Sequence, residues 1–215
     1  MDVEALARRY PRLFHMAERG TWQSIKTHGL LSTTAVLDLH QIEGKERSKL
    51  ENQHRAEKVA VGDEMQIILR DQKPMAPNRL AMALQDNISP AEWYELINGR
   101  VFMWAQEERL LGLLKARHYR VLEHDVLTID TASLLNSHAQ AVWLCPMNSG
   151  NTFPIPHRRG KDTFQRISDY PVSKSGSPKK EVVEVVVDYS IPDIEDHVLE
   201  IRRMRGDAVL ELLDK

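Results

Sequence analysis

Residues 182–187 read Val-Val-Glu-Val-Val-Val, apolar on both faces of a strand except at Glu184. Strand side chains alternate between two faces, so a strand apolar on both must be covered on both. That requirement makes it a central strand of a sheet with structure above and below, and it carries one carboxylate into the interior. A buried carboxylate is costly unless it is paired or hydrogen-bonded, and desolvation raises its pKa. Such a group is a candidate acid or base. The competing reading is an edge strand with Glu184 facing water. Glu181, three residues earlier, reads as a solvated strand end.

The rest of the chain must supply the cover. With 215 residues, 42% hydrophobic and 28% charged, residues 1–215 suit a single domain. Helices are expected at 3–9, at 21–28 with Gly29 as C-cap, and at 34–57 with a break near Gly44. Ser32-Thr33-Thr34 is a cluster of N-cap residues before that third helix. Ser89-Pro90-Ala91-Glu92 is a capping box with proline at the first helical position, opening a helix that stops at Asn98-Gly99. Further helices are expected at 107–117, 131–139 and 207–213. Strands are expected at 12–17, 64–70, 101–104, 142–147, 181–189 and 197–203. Two more, 119–122 and 126–130, would pair around His124-Asp125. Residues 148–179 hold Asn148-Ser149-Gly150, four prolines and little periodicity, so they read as a long functional or mobile loop. The charged segment 45–58 reads as a solvated face or as a dimer surface. Short strands interleave irregularly with helices, which favours α+β over a doubly wound parallel sheet.

Several classes of protein lose ground. A formal net charge of −2 argues against a surface that wraps nucleic acid throughout, though not against a local basic patch. There is no phosphate-binding glycine loop, no dinucleotide fingerprint, no Gly-x-Ser-x-Gly elbow and no His-Glu-x-x-His pair. No metal site is expected. The single cysteine, Cys145, lies in the apolar run Ala141–Leu144 and reads as a buried structural thiol. The first residues lack a basic start followed by an apolar run, and no apolar stretch reaches membrane-spanning length. The cytoplasm is the expected location, without membrane association.

Other side chains stand out by position. His15 shares a strand face with Leu13 and Ala17, either as a core-edge histidine with one hydrogen bond or as a ligand-binding group. Phe102 and Trp104 share a face of their strand, as core or as a stacking platform. Arg70 and Arg100 sit at strand ends beside loops, as surface residues or as phosphate clamps.

Taken in order, these pieces resemble the ADP-ribosyltransferase superfamily. Leu13-Phe14-His15-Met16, a helix carrying Ser24-Ile25, and then His28-Gly29-Leu30-Leu31-Ser32 look like its opening. They are most similar to the DarT-type DNA ADP-ribosyltransferase toxins and the RNA 2′-phosphotransferases. Leu69-Arg70-Asp71 to Pro74-Met75 looks like an arginine-containing segment of those enzymes. Glu184-Val185-Val186-Val187 to Ile191-Pro192 looks like the strand that carries their catalytic glutamate. The transferases often place an aromatic on an inner strand, where this chain offers Phe102 and Trp104. The chain also looks like an uncharacterised bacterial family with the same Leu-Phe-His and Asn-Ser-Gly landmarks.

The resemblance implies a split, mixed β-sheet with surrounding helices, and NAD⁺ as co-substrate in its cleft. His15 would bond a ribose hydroxyl, and Phe102 or Trp104 would stack on nicotinamide. Arg70 would neutralise the pyrophosphate, and Ser32 would join the cofactor-binding residues. Glu184, with His15, would be catalytic, stabilising the sugar cation formed as nicotinamide leaves. The acceptor would be a nucleic acid, a nucleobase or a protein, met by the loop 148–159 with His157, Arg158 and Arg159. The alternatives are a phosphotransferase acting on an RNA 2′-phosphate and a non-catalytic binding module of the same fold.

Overall fold

A computed structural model describes residues 1–62, 66–72 and 75–215. The strands are β1 (Arg12–Glu18), β2 (Leu30–Leu31), β3 (Val59–Val61), β4 (Ile67–Leu69), β5 (Arg100–Trp104), β6 (Glu123–Asp130), β7 (Val142–Cys145), β8 (Gln165–Arg166), β9 (Glu184–Asp188), β10 (Ser190–Ile191), β11 (Val198–Arg205) and β12 (Ala208–Leu213). The helices are α1 (Val3–Arg9), α2 (Trp22–His28), α3 (Thr33–Leu39), α4 (Gly44–Glu51), α5 (Pro77–Ala83), α6 (Pro90–Asn98), α7 (Glu107–Leu114), α8 (Thr131–His138) and α9 (Ile194–His197). No helix among the described residues is long and apolar enough to cross a membrane.

The architecture is α+β, built on an eight-stranded sheet in the order β12-β11-β6-β1-β5-β9-β7-β8. Every neighbouring pair in it runs antiparallel, so the mixed sheet expected from the resemblance is not what forms. Two-stranded ribbons, β2 with β10 and β3 with β4, stand beside it. One sheet face carries Leu13, Val101, Met103, Leu127, Val185 and Val187 under Leu6 of α1, Trp22 and Ile25 of α2, and Leu134 of α8. The other packs Val186 and Cys145 against Leu80 of α5 and Trp93 and Tyr94 of α6, and Phe14 and Val126 against Leu110 and Leu114 of α7. The apolar run of β9 is therefore covered on both sides, between β5 and β7. Full burial of each such valine contributes about 1.5–3 kcal/mol.

Local chemistry accounts for the helix ends. Ser89 Oγ accepts from Glu92 N at 3.2 Å, and Glu92 Oε2 accepts from Ser89 N at 2.7 Å, closing the capping box. Asp130 caps α8 by accepting from Ser133 N. The helix expected over 34–57 with a break near Gly44 is two helices, α3 and α4, with Gln41 at φ 53° and Gly44 at φ 62° turning the chain between them, and α4 ends at Glu51. Part of the strand expected at 64–70 lies outside the described residues, as does Pro74; the described part is β4.

Two expected elements are replaced. Residues 119–122 form turns, and β6 is one unbroken strand with His124 and Asp125 buried inside it. Asp125 tolerates burial because Arg203 Nε and Gly20 N donate to it, at 3.0 and 2.7 Å. Residues 208–213 form strand β12, not a helix. A short apolar run fits either period, and the hairpin with β11 decides between them. The stretch 148–179 contains β8 and the buried Phe164, Ile167 and Tyr170, so much of it packs on the sheet.

Candidate active-site cleft

The sheet divides between β1 and β5. These strands share a single residue pair, Phe14 with Trp104, whereas β1 pairs with β6 along its whole length. Beyond that pair the two inner edges part, and their carbonyls are met by side chains. His15 Nδ1 donates to Phe102 O at 2.8 Å, and Arg70 Nη2 donates to Met16 O at 2.6 Å. A cavity of about 310 Å³ occupies the opening. His15, Ser32, Arg70, Phe102, Trp104 and Glu184 all line it.

Alternation alone would put His15 and Glu184 on opposite faces of the sheet. The cross-strand row Phe14–Trp104–Glu184–Cys145 lies on one face, and His15 belongs to the other. The parting of β1 from β5 opens a passage there, and one wide cavity touches both residues.

Glu184 is 4% exposed. Ser149 N donates to both of its oxygens, at 3.1 and 3.2 Å. Burial pushes the carboxyl up to about 7, against the pull of Ser149, the Cys145 thiol and the Arg159 charge. His15 is shifted the other way, down to about 4, mainly by burial and also by the Arg70 charge, although Phe102 O favours its protonated form. It is neutral near pH 7. Since a carbonyl can only accept, Nδ1 carries the proton and Nε2 keeps its lone pair as an acceptor.

The turn that holds Ser149 depends on Arg159, which is 1% exposed. Its guanidinium donates to Ser149 O, Asn151 O and His157 O at 2.6, 2.7 and 3.1 Å, and lies over the Trp93 ring. Arg159 is thus a buried tie, while His157 and Arg158 are exposed. Arg159 therefore leaves the acceptor-facing set expected for this loop. Asn148 Oδ1 accepts from Gly150 N at 3.1 Å and tightens the same turn.

The other candidates have structural partners as well. Ser32 Oγ caps α3 by accepting from Ala35 N at 3.1 Å. Arg70 is also 3.7 Å from Glu18. Arg100 pairs with Asp188 at 3.2 Å and lies over the rings of Trp143 and Phe164. Phe102 meets Phe164 edge-on, and Trp104 packs at the edge of the cluster around Leu110 and Leu114. Cys145 donates to Met147 O at 3.1 Å, and burial together with nearby Glu184 pushes its thiol well up, away from nucleophile chemistry.

The cavity also meets residues that sequence reasoning passed over. Arg55, tied to Asp71, Asn98 and Leu50 O, forms part of its wall. The segment 45–58 is therefore more than a solvated face. Tyr94 lines the cavity with a buried hydroxyl that has no partner among the described residues. No pattern in the sequence marks either residue. The Asn-Ser-Gly turn was visible, but its hydrogen bonds to Glu184 were not.

These features define a class: an α+β protein whose divided antiparallel sheet encloses a buried, proton-holding carboxylate and a neutral histidine around one cavity. Residues 11–198 match the model of a family of unknown function, DUF7002, and the chain belongs to that family. No curated protein and no solved structure matches it.

Proposed function

We propose that this protein is an NAD⁺-dependent ADP-ribosyltransferase acting on a macromolecular or nucleobase acceptor. The observation that carries the reading is that Glu184 and neutral His15 line one cavity at the division of the sheet, with Phe102, Trp104 and Arg70 also on its walls. Loss of nicotinamide leaves a sugar centre that is electron-poor, and an ionised carboxylate nearby stabilises it. Glu184 supplies that charge once deprotonated, and it accepts a hydrogen bond from the adjoining ribose hydroxyl. Ser149 holds the carboxylate in place. His15 Nε2 accepts from a ribose hydroxyl, and a ring of Phe102 or Trp104 offers its face to the flat base. Arg70 keeps donors beyond the one on Met16 O for a phosphate oxygen.

The phosphotransferase alternative needs several free basic groups around one phosphate. Of the arginines that line the cavity, Arg55 is tied to Asp71 and Asn98 and Arg100 to Asp188, so each has only part of its guanidinium left for a phosphate, which makes it the weaker reading.

The test is calorimetric titration of NAD⁺ into wild type and His15→Ala. The expected result is saturable binding by wild type, weakened at least about tenfold in the variant by loss of one hydrogen bond. Folded wild type that takes up no NAD⁺ would overturn the reading in favour of a non-catalytic module.

A further inference from the structure

A second cluster of chemically capable side chains lies outside the cavity. His138 is the last residue of α8, Asp193 precedes α9, and His197 ends α9. One ligand atom from each of the three lies within 4.8 Å of the others. His138 Nε2 is 2.6 Å from Asp193 Oδ1, and His197 Nε2 is 3.3 Å from Asp193 Oδ2. None of the three lines the cleft.

His197 is the informative member. Its ring is 3% exposed, and Nδ1 is 2.7 Å from Ser133 Oγ. Its Nε2 is buried without a hydrogen-bond partner among the described residues, although a carboxylate oxygen lies 3.3 Å away. With Nδ1–H donating to Ser133, Nε2 carries a lone pair that faces a carboxylate. A cation between those two atoms would relieve their repulsion, whereas with Ser133 Oγ–H donating to Nδ1 it is Nε2–H that faces the carboxylate. A histidine whose far nitrogen is fixed by a hydrogen bond is the usual arrangement for a metal ligand.

The dimensions agree. Tetrahedral ligands at ~2.1 Å from a metal are separated by roughly 3.4 Å, close to the 3.3 Å between His197 Nε2 and Asp193 Oδ2. His138 meets the other carboxylate oxygen, Oδ1, at 2.6 Å, so binding would turn the carboxylate to present one oxygen to both rings, whose ligand atoms lie within 4.8 Å of it and of each other. Two imidazoles and one carboxylate suit zinc and its first-row neighbours, whereas magnesium and calcium prefer oxygen ligands. The C-terminal end of α8 adds partial negative charge beside His138.

We propose that His138, Asp193 and His197 bind a divalent transition metal of the zinc class, which fastens α8 to the segment running from β10 into α9. That segment matters to the cleft. Its strand β10 pairs with β2, and Leu30, Leu31 and Ser32 at β2 line the cavity wall. The metal would brace this wall from behind and leave the chemistry to the residues inside. The inference is independent of what the cleft binds.

The experiment is titration of ZnCl₂ into untagged, metal-stripped protein, followed by calorimetry and by the thermal midpoint. His138→Gln and Asp193→Asn are compared with wild type, and the fold of each is checked by circular dichroism. Both positions retain solvent contact, so the variants should fold even where a change at His197 would not. The expected result is one zinc per chain, a raised midpoint in wild type, and binding weakened at least about tenfold in each variant. Wild type that binds no stoichiometric zinc overturns the proposal. Zinc bound equally well by both variants also overturns it, because the metal would then sit elsewhere.

Discussion

Ser149 offers one backbone N–H to both carboxylate oxygens of Glu184, at 3.1 and 3.2 Å. Burial outweighs this donor together with the Ser149 side chain, the Cys145 thiol and the Arg159 charge, and the carboxyl keeps its proton up to about pH 7. The fold therefore favours a protonated form of Glu184 at pH values where the unfolded chain has already lost that proton.

The consequence for stability has a definite sign. The native state binds more protons than the unfolded chain between the ordinary glutamate value of 4.5 and about 7, so stability falls as pH rises through that window. The loss amounts to about 3 kcal/mol once the pH is well above 7. His15 and His124, both lowered to about 4 by burial, act in the opposite sense below pH 6.5, so wild type alone will not display the effect cleanly. The difference between wild type and Glu184→Gln isolates it. Urea denaturation should find the variant gaining up to about 3 kcal/mol on wild type between pH 4.5 and pH 8. A difference that does not change with pH would show that Glu184 is ordinary.

Arg159 fixes the turn from which Ser149 reaches Glu184. Its planar fork serves three carbonyls, and a lysine would offer one point of charge to groups spread around it. Arg159→Lys should destabilise the fold by about 2 kcal/mol or more, as buried carbonyls lose their donors. The urea midpoint reports it, and an unchanged midpoint would mean that water replaces the guanidinium without cost.

How much of this was legible depends on whether the signal was local. The capping box at Ser89 and the glycine ending α2 were readable because their partners lie within a few residues. The central strand was readable because Val182–Val187 leaves no face for water. The pairing partners were not: no residue of β1 announces that it leaves β5 after one pair, and that departure creates the cleft. Strand β12 was misread because six residues are too few to separate two periods. Ser149 and Arg159 reach Glu184 only because the turn brings residues 25 to 35 positions away beside it, which no local pattern announces. His138 and Asp193 are 55 positions apart, and the helical spacing of Asp193 and His197 is too common to suggest a ligand pair alone.

Gly29 looks at first like an ordinary helix stop, and its φ of 81° fits that role. Its second role is steric. A Cβ at this position would lie 2.6 Å from Pro192 Cα and 2.7 Å from Ile191 O, both backbone atoms of the segment that pairs β10 with β2. Gly29→Ala must therefore strain φ and also push β10 away from the cavity wall. Gly20 provides the control, because it has a φ of 80° and, among the described residues, nothing within 4 Å of the added atom. Gly20→Ala should cost about 1 kcal/mol, the expense of left-handed backbone in a residue with a Cβ. Gly29→Ala should cost about 2–4 kcal/mol, since the backbone contact adds to that expense. Urea unfolding of both variants measures the gap. Equal losses would mean that the β2–β10 ribbon yields freely, and that the wall of the cleft is not held by this contact.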